Sequence, residues 1–442
     1  ELQIKNMSDS DISTQESEND IYIRYIISTM TGLEKLSILG NKNITSIDFV
    51  NKVTNLIQLD LRNTVITDLS KLENNALNLD TLAISNPKID MKKIQATISR
   101  LGIDTARNEM NIITNNKTHW GWATGLVLSA TGFQNSFKGC DKITSIRIFA
   151  QNAGFCSQTI DLSDCESLSN VWFSCAYSNW ILPSSLISIN IQGYEKMDAT
   201  KCVNLTNLYF QQSSINSGTL DTFVNSPLQE VSMFRCSVQL SELQKLKGAY
   251  NSLTKLNISN DDYGYNAGYR IDGNCNLLSN FHNLKSLTIY KYNNSDIING
   301  ISKIDSLEDL NLSGNNIGNI NELINLNNLT TLRLVANNIS DITALSNLKN
   351  LSYVMLNENC ISNLKPLEKL IENENNLQTL YLNNNNLENY VTQNVNGQVI
   401  LIDNIEILKK MNKAGLKELN ISGNSFQDTS ELKKLQWNSY ND

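Results

Sequence analysis

The chain has 442 residues, with 36 Lys and Arg against 44 Asp and Glu, for a net charge of −8. That balance excludes a general nucleic-acid binder, which would carry a basic stripe. No apolar run is long enough to cross a bilayer as a helix, and with only 18% charged residues the polar surface is built from Asn, Ser and Thr instead.

Residues 1–20, with S-D-S-D and Q-E-S-E-N-D, are polar and acidic and are expected to be flexible. Residues 21–32 carry an apolar face from Ile21 to Met30 and are expected to form an N-terminal cap. From residue 33 to 442 one pattern recurs, a leucine-like residue with others three and five positions on. It opens at Leu33, Leu56, Leu79, Ile143, Leu168, Leu186, Leu205, Leu228, Leu253, Leu284, Leu307, Leu329, Leu351, Leu377 and Leu416. Ile98 and Ala123 are weaker openings in the gap after Leu79. Three irregular insertions interrupt the series, near 104–122, 259–280 and 388–414. The third contains D-N-I-E-I-L-K-K-M, expected as a helix on the convex side. E-L-K-K-L-Q-W (431–437) reads either as a short capping helix or as the place where a longer chain was cut.

The pattern is clearest between Ser306 and Asn350, where Leu307, Leu310, Leu312 and Asn315 are answered 22 residues later by Leu329, Leu332, Leu334 and Asn337. L-x-x-L-x-L-x-x-N at this period is the leucine-rich repeat. The expected fold is therefore an α/β leucine-rich-repeat solenoid of about 15–17 coils, with a curved parallel β-sheet on its concave face. Length alone would have suggested three globular domains, whereas the repeat implies one elongated one. The leucines fill the space between coils, and the residues between them alternate outward with a period of two. The asparagine falls where the chain leaves the strand. There its amide can satisfy N–H and C=O groups that have lost their ladder partners.

Asn41, Asn315, Asn337, Asn359, Asn385 and Asn424 hold that turn position, and the ends of the chain resemble the internalin type of bacterial leucine-rich repeat. Between about 137 and 240 the asparagine disappears. F-K-G-C-D-K-I-T-S-I-R-I (137–148), D-C-E-S-L-S-N-V-W-F (164–173), L-P-S-S-L-I-S-I-N-I (182–191) and K-C-V-N-L-T-N-L-Y-F (201–210) resemble the BspA-like repeat. Both resemblances imply a secreted or wall-attached bacterial protein that binds a host or cell-surface partner. The chain opens at Glu1 without a signal peptide, and is read as a mature or trimmed form with export signal and anchor out of view.

Little points to chemistry. The eight cysteines form no C-x-x-C pair, and Cys140, Cys165 and Cys202 each stand three residues before a coil's first core position. They read as small core filler, since parallel Cβ directions disfavour a Cys140–Cys165 bridge. The two histidines, His119 and His282, lie in different coils and neither belongs to a nucleophile motif. No phosphate loop, dinucleotide fingerprint or metal spacing occurs, and the acidic pairs Asp261–Asp262 and Glu372–Glu374 read as surface residues. No enzyme activity, cofactor or metal is expected.

The outward strand positions are small or polar near both ends and large in the middle: Arg147, Phe149, Trp172, Tyr209, Phe234 and Tyr290, continued sparsely by Tyr353, Met355 and Tyr381. These are expected to form a contiguous aromatic track on the concave face, suited to a partner. The competing reading is that they only stabilise the sheet through cross-strand pairing. The segment N-D-D-Y-G-Y-N-A-G-Y-R-I-D-G-N (260–274) sets Tyr263, Tyr265 and Tyr269 among Gly, Asn and Asp, as in an antibody paratope; a self-packed loop is the alternative.

The function expected is non-catalytic recognition of a protein, with a glycan as second choice, by a monomer. The alternatives are the targeting or scaffold region of a larger secreted enzyme, and a cytosolic inhibitor or regulator. An export signal, an appended catalytic domain, or neither would separate the three.

Overall fold

The computed structural model describes residues 2–3, 16–73, 79, 81–84, 86, 88–94, 97, 125–128, 137–141, 143, 145–150, 159–175, 179–193, 196–260, 269–292, 297–372 and 377–442. Within these, only the backbone is described at 3, 16–22, 81, 125–128, 145, 147–150, 174–175 and 196. The chain forms two compact units, Glu1–Ser213 and Ser214–Asp442. Each is a leucine-rich-repeat stack in which a coil contributes one short strand to a parallel sheet.

In the first unit, strands Lys35–Ser37, Gln58–Asp60, Thr81–Ile84 and Gly125–Leu128 pair in succession, all parallel. Ser145–Ala150, Asn170–Cys175, Ser188–Gln192 and Asn207–Gln211 form a further parallel series. In the second unit the series runs Glu230–Phe234, Lys255–Ser259, Ser286–Tyr290, Asp309–Asn311, Thr331–Arg333, Tyr353–Met355, Thr379–Tyr381, Glu418–Asn420 and Ser439–Asn441. Each repeat strand starts two residues after its opening leucine, because that leucine occupies the turn entering the strand. The register sets core residue beside core residue, as in Leu310↔Leu332, Val354↔Leu380 and Leu380↔Leu419. Leu310, Leu332, Leu380 and Leu419 are fully enclosed, so a one-residue slip would turn the whole apolar row toward water.

The turn asparagines stitch coil to coil. Asn337 Nδ2 donates to Leu312 O (3.1 Å) and Leu334 O (3.0 Å), while its Oδ1 accepts from the amides of Asn315 (3.1 Å) and Ile317 (2.9 Å). Asn359, Asn385 and Asn424 repeat the arrangement one coil at a time. Just before the asparagine the backbone is left-handed: Gly40, Gly314 and Gly423 fit without cost, whereas Ala336, Glu358 and Asn384 adopt the same turn with a Cβ.

The middle coils lack the asparagine because a second strand replaces it. Thr159–Asp161, Asn179–Ile181 and Lys196–Asp198 form a parallel sheet, as do Ser214–Ile215, Ser237–Gln239 and Ile271–Asp272 in the second unit. A strand pairing with its neighbours satisfies the outgoing backbone, so no side-chain amide is required. The first-unit core here is filled by Phe137, Phe173 and Trp180, with the Phe173 and Trp180 rings stacked at 3.8 Å. Cys140, Cys165 and Cys202 are unbridged, buried thiols, pushed up to about 12 by burial.

The N-terminal segment and the insertion at 388–414 differ from expectation. A helix spans Glu16–Thr29, beginning inside the segment 1–20 expected to be flexible; the acidic residues at 16, 18 and 20 suit the positive end of a helix. Leu2–Gln3 pairs with Lys35–Ser37, so the same segment also supplies an edge strand. The coil expected at Ile98 lies outside the described residues; among those described, Thr81 pairs with Gly125. The insertion at 388–414 contains an antiparallel hairpin, Tyr390–Val395 with Gln398–Asp403, before the helix Asn404–Lys413. Its turn is Asn396-Gly397, both left-handed, the strongest short hairpin signal a sequence carries. Beyond the short helix Ser430–Lys433, Trp437 opens a final coil that ends in Ser439–Asn441.

Candidate binding face of the sheet

Alternation along each strand aims every second side chain away from the core, and the parallel register lines these up in rows. In the first unit one row is Arg147↔Trp172↔Asn190↔Tyr209. Trp172 and Tyr209 are half-buried, and Asn190 stands between them. Asn207 Nδ2 donates to the Tyr209 hydroxyl at 3.0 Å, fixing the ring. The side chains of Arg147 and Phe149 lie outside the described residues. In the second unit Phe234↔Ser259↔Tyr290 forms a row two positions further along the strand. Among the described side chains of these rows, small polar residues alternate with the large ones, Asn190 between Trp172 and Tyr209 and Ser259 between Phe234 and Tyr290. The sequence shows side-chain size at each outward position, but adjacency needs the same position in consecutive coils.

Consecutive coils do bring large groups together farther along the second unit. One row reads Asp309↔Thr331↔Tyr353↔Thr379↔Glu418, and the next Asn311↔Arg333↔Met355↔Tyr381↔Asn420. Tyr353 and Tyr381 meet edge to face with ring centroids 6.0 Å apart. The Arg333 guanidinium lies 5.3 Å from the Tyr353 centroid and is held there by Asp309 at 2.7 Å. On the far side the Tyr381 hydroxyl donates to Glu418 Oε2 (3.4 Å), which Thr379 Oγ1 also reaches (3.2 Å). Burial, then the neighbouring Tyr353 and Glu418, raises the Tyr381 phenol above its ordinary range and keeps it a proton donor. Edge-to-face and cation–π contacts contribute about 0.5–1.5 kcal/mol each beyond area burial. The result is a preset, half-exposed surface of rings, guanidinium and carboxylate. In sequence, Tyr353 and Tyr381 read only as a sparse continuation of the track. The available signal was that Arg333, Tyr353, Met355 and Tyr381 fall on three successive strands.

Of the tyrosine-rich insertion, Tyr263 and Tyr265 lie outside the described residues. Tyr269 is half-buried and lines a cavity of about 530 Å³ together with Arg270, Asp272, Gly273, Lys291 and Tyr292. His119, Asp261, Asp262 and Glu374 also lie outside the described residues; His282 uses its backbone amide to bond Tyr250 O at 3.2 Å in a turn. Among the described residues no group of three or more His, Cys, Asp or Glu side chains could hold a metal ion. No helix among them is long and apolar enough to cross a membrane.

The stacked coils define a leucine-rich-repeat protein. No protein-family model matches the chain, and no curated protein matches it. Among solved structures it is similar to an internalin of Listeria monocytogenes, with 17% identity over 96% of this chain and 94% of that one, at a TM-score of 0.36. A leucine-rich-repeat protein of Leptospira interrogans matches with 17% identity over 92% and 88% of the two chains, at a TM-score of 0.47. The Toll–Spätzle complex of Drosophila matches with 12% identity over 91% and 52%, at a TM-score of 0.49.

Proposed function

We propose that this chain is a non-catalytic recognition module that binds a protein partner through the outward face of its parallel sheet. The Tyr353–Tyr381–Arg333 cluster carries that reading. It is half-exposed, fixed by Asp309 and Glu418, and built from the side chains that dominate interface energies. Preset rings lose little conformational freedom on binding. Sheet stabilisation alone would account for the two rings, but not for an arginine fixed over one of them at the surface.

The chain works as an exported or surface-attached bacterial protein. The asparagine-turn repeats at its ends, the BspA-like spacing of Cys140, Cys165 and Cys202, and the Asn-, Ser- and Thr-rich polar surface support this reading. Its partner is then an extracellular protein, and the chain acts as a monomer.

The test is a binding screen against host extracellular proteins, with affinity then measured for Tyr353→Ala/Tyr381→Ala. A loss of more than about 2 kcal/mol with unchanged folding supports the cluster as the contact; an unchanged affinity removes it. Trp172→Ala/Tyr209→Ala tests the first unit's pair separately.

A further inference from the structure

We infer that the cavity beside Tyr269, at the strand-exit edge of the second unit, is a binding site for an acidic saccharide. This goes beyond the protein-binding face and uses different residues.

The cavity, about 530 Å³, is in the size range of small-ligand sites. Two cations line it, Arg270 and Lys291, in a chain of net charge −8. Among the described residues neither has a carboxylate partner, although Lys245, Lys255, Lys285 and Arg333 in the same unit are each ion-paired. Among the described residues, two charged donors beside one cavity are thus left without a salt bridge.

Lys291 stands in the left-handed exit turn of its coil. Its φ is +60, at the coil position where Gly40, Gly314 and Gly423 stand in other coils. Asn63, Gln212, Arg235, Ala336, Glu358 and Asn384 take the same left-handed turn in their coils, so it belongs to the repeat; in this coil the residue it carries is a lysine that lines the cavity. The ammonium rests 5.3 Å from the centroid of the Tyr290 ring, which keeps it at the cavity edge. The walls are equally fixed. Tyr292 is buried, its hydroxyl donates to Gly273 O, and its amide is bonded by Asn315 Oδ1 at 2.6 Å. Asn260 stands level with Lys291, because Ser259 pairs with Tyr290 one residue earlier. Its amide is enclosed, and among the described residues neither its oxygen nor its nitrogen has a hydrogen-bond partner.

The remaining lining selects the ligand class. Asp272 is an acceptor in the same cavity, suited to a hydroxyl and opposed to a second carboxylate side chain. Half-buried Tyr269 gives ring surface, against which the C–H face of a pyranose can lie, while buried Tyr292 backs the wall. Cations for one anionic group, a carboxylate acceptor for hydroxyls and rings for the apolar face together describe a sugar bearing a carboxylate or sulfate. An acidic peptide would use the cations and be opposed by Asp272.

The test uses the full chain and calorimetric titration at about 50 mM and about 150 mM salt. The probes are a heparin tetrasaccharide (sulfate and carboxylate), a hyaluronan tetrasaccharide (carboxylate only), maltotetraose and a hexaglutamate peptide. Binding of at least one acidic tetrasaccharide, with maltotetraose and hexaglutamate weaker, is expected; hyaluronan against heparin tells carboxylate from sulfate recognition. Arg270→Gln/Lys291→Gln should weaken that binding by about tenfold or more with an unchanged melting curve. Lys291→Arg should retain it, and Tyr353→Ala/Tyr381→Ala should leave it unaltered, which separates this site from the protein-binding face. Equal binding by the Arg270/Lys291 variant, tighter binding of hexaglutamate, or no acidic saccharide bound at the lower salt would overturn the assignment.

Discussion

Replacing Asn359 by alanine tests the asparagine ladder most directly. Its Oδ1 accepts from the amide of Ile339 at 3.0 Å, and its Nδ2 donates to Leu334 O (2.9 Å) and Leu356 O (3.0 Å). The two carbonyls keep a second partner each, since Asn337 also reaches Leu334 O and Asn385 also reaches Leu356 O. The Ile339 amide keeps none, and that residue is fully buried. Orphaning a buried donor costs about 1–3 kcal/mol, and each shared carbonyl bond is worth about 0.5–1.5 kcal/mol net, so Asn359→Ala should lose about 2–5 kcal/mol. Urea unfolding would give the total. Hydrogen exchange with peptide mapping would locate it, because a solenoid transmits the loss mainly to neighbouring coils. Exchange should accelerate around residues 335–345 and remain unaltered in the first unit. Asn359→Asp adds a pH signature. Burial facing two carbonyls raises the folded pKa of the new carboxyl, so this variant is closest to wild type below about pH 4 and loses stability as pH rises from there. A loss below about 1 kcal/mol, or uniform acceleration throughout the chain, would show that the backbone groups at this turn do not depend on the asparagine.

The other predictions concern local terms. Ala336 has a left-handed backbone, so Ala336→Gly should be neutral to stabilising by up to about 1 kcal/mol in thermal unfolding, while Gly314→Ala should cost about 1–2 kcal/mol. The added Cβ at Gly314 would also stand 3.0 Å from the Tyr290 ring, and a tolerated substitution would contradict that geometry. With thiols pushed up to about 12, Cys140, Cys165 and Cys202 should resist alkylation at pH 8 in the native state, whereas exposed Cys360 is modified first; mass mapping reads the order. Lys365, and then Lys410, holds the Glu368 carboxyl below its ordinary range. Its contribution is therefore present above the unfolded value of about 4.3 and is lost as pH falls through the lower folded value. Glu368→Gln should cost less than about 1 kcal/mol at pH 7 and nothing at about pH 2.

Which aromatic side chains meet is a matter of geometry. Trp172 and Tyr209 sit in coils that are not neighbours, with Asn190 between them, while Tyr353 and Tyr381 sit in adjacent coils. Counting residues within one repeat shows which way a side chain points. Whether two of them touch depends on the coils between them and on each residue's place along its strand. The cavity at Arg270 and Lys291 was hidden for a similar reason: the residues are twenty-one apart in sequence and meet only because one precedes the strand Ile271–Asp272 and the other follows the strand Ser286–Tyr290.

The repeat alone determined that the chain would stack coils, where each strand would begin and which leucines would be enclosed. A periodic apolar pattern has one way to keep every leucine from water, and the buried row Leu310, Leu332 and Leu380 realises it. The ladder role of Asn337 and Asn359 was legible too, since a chain leaving a strand must find partners for its backbone. Only the tertiary structure decided what happens where that asparagine is absent. There the outgoing chain pairs with its neighbours as a second sheet, because a backbone N–H in the interior needs a partner but can take it from a side chain or from another strand.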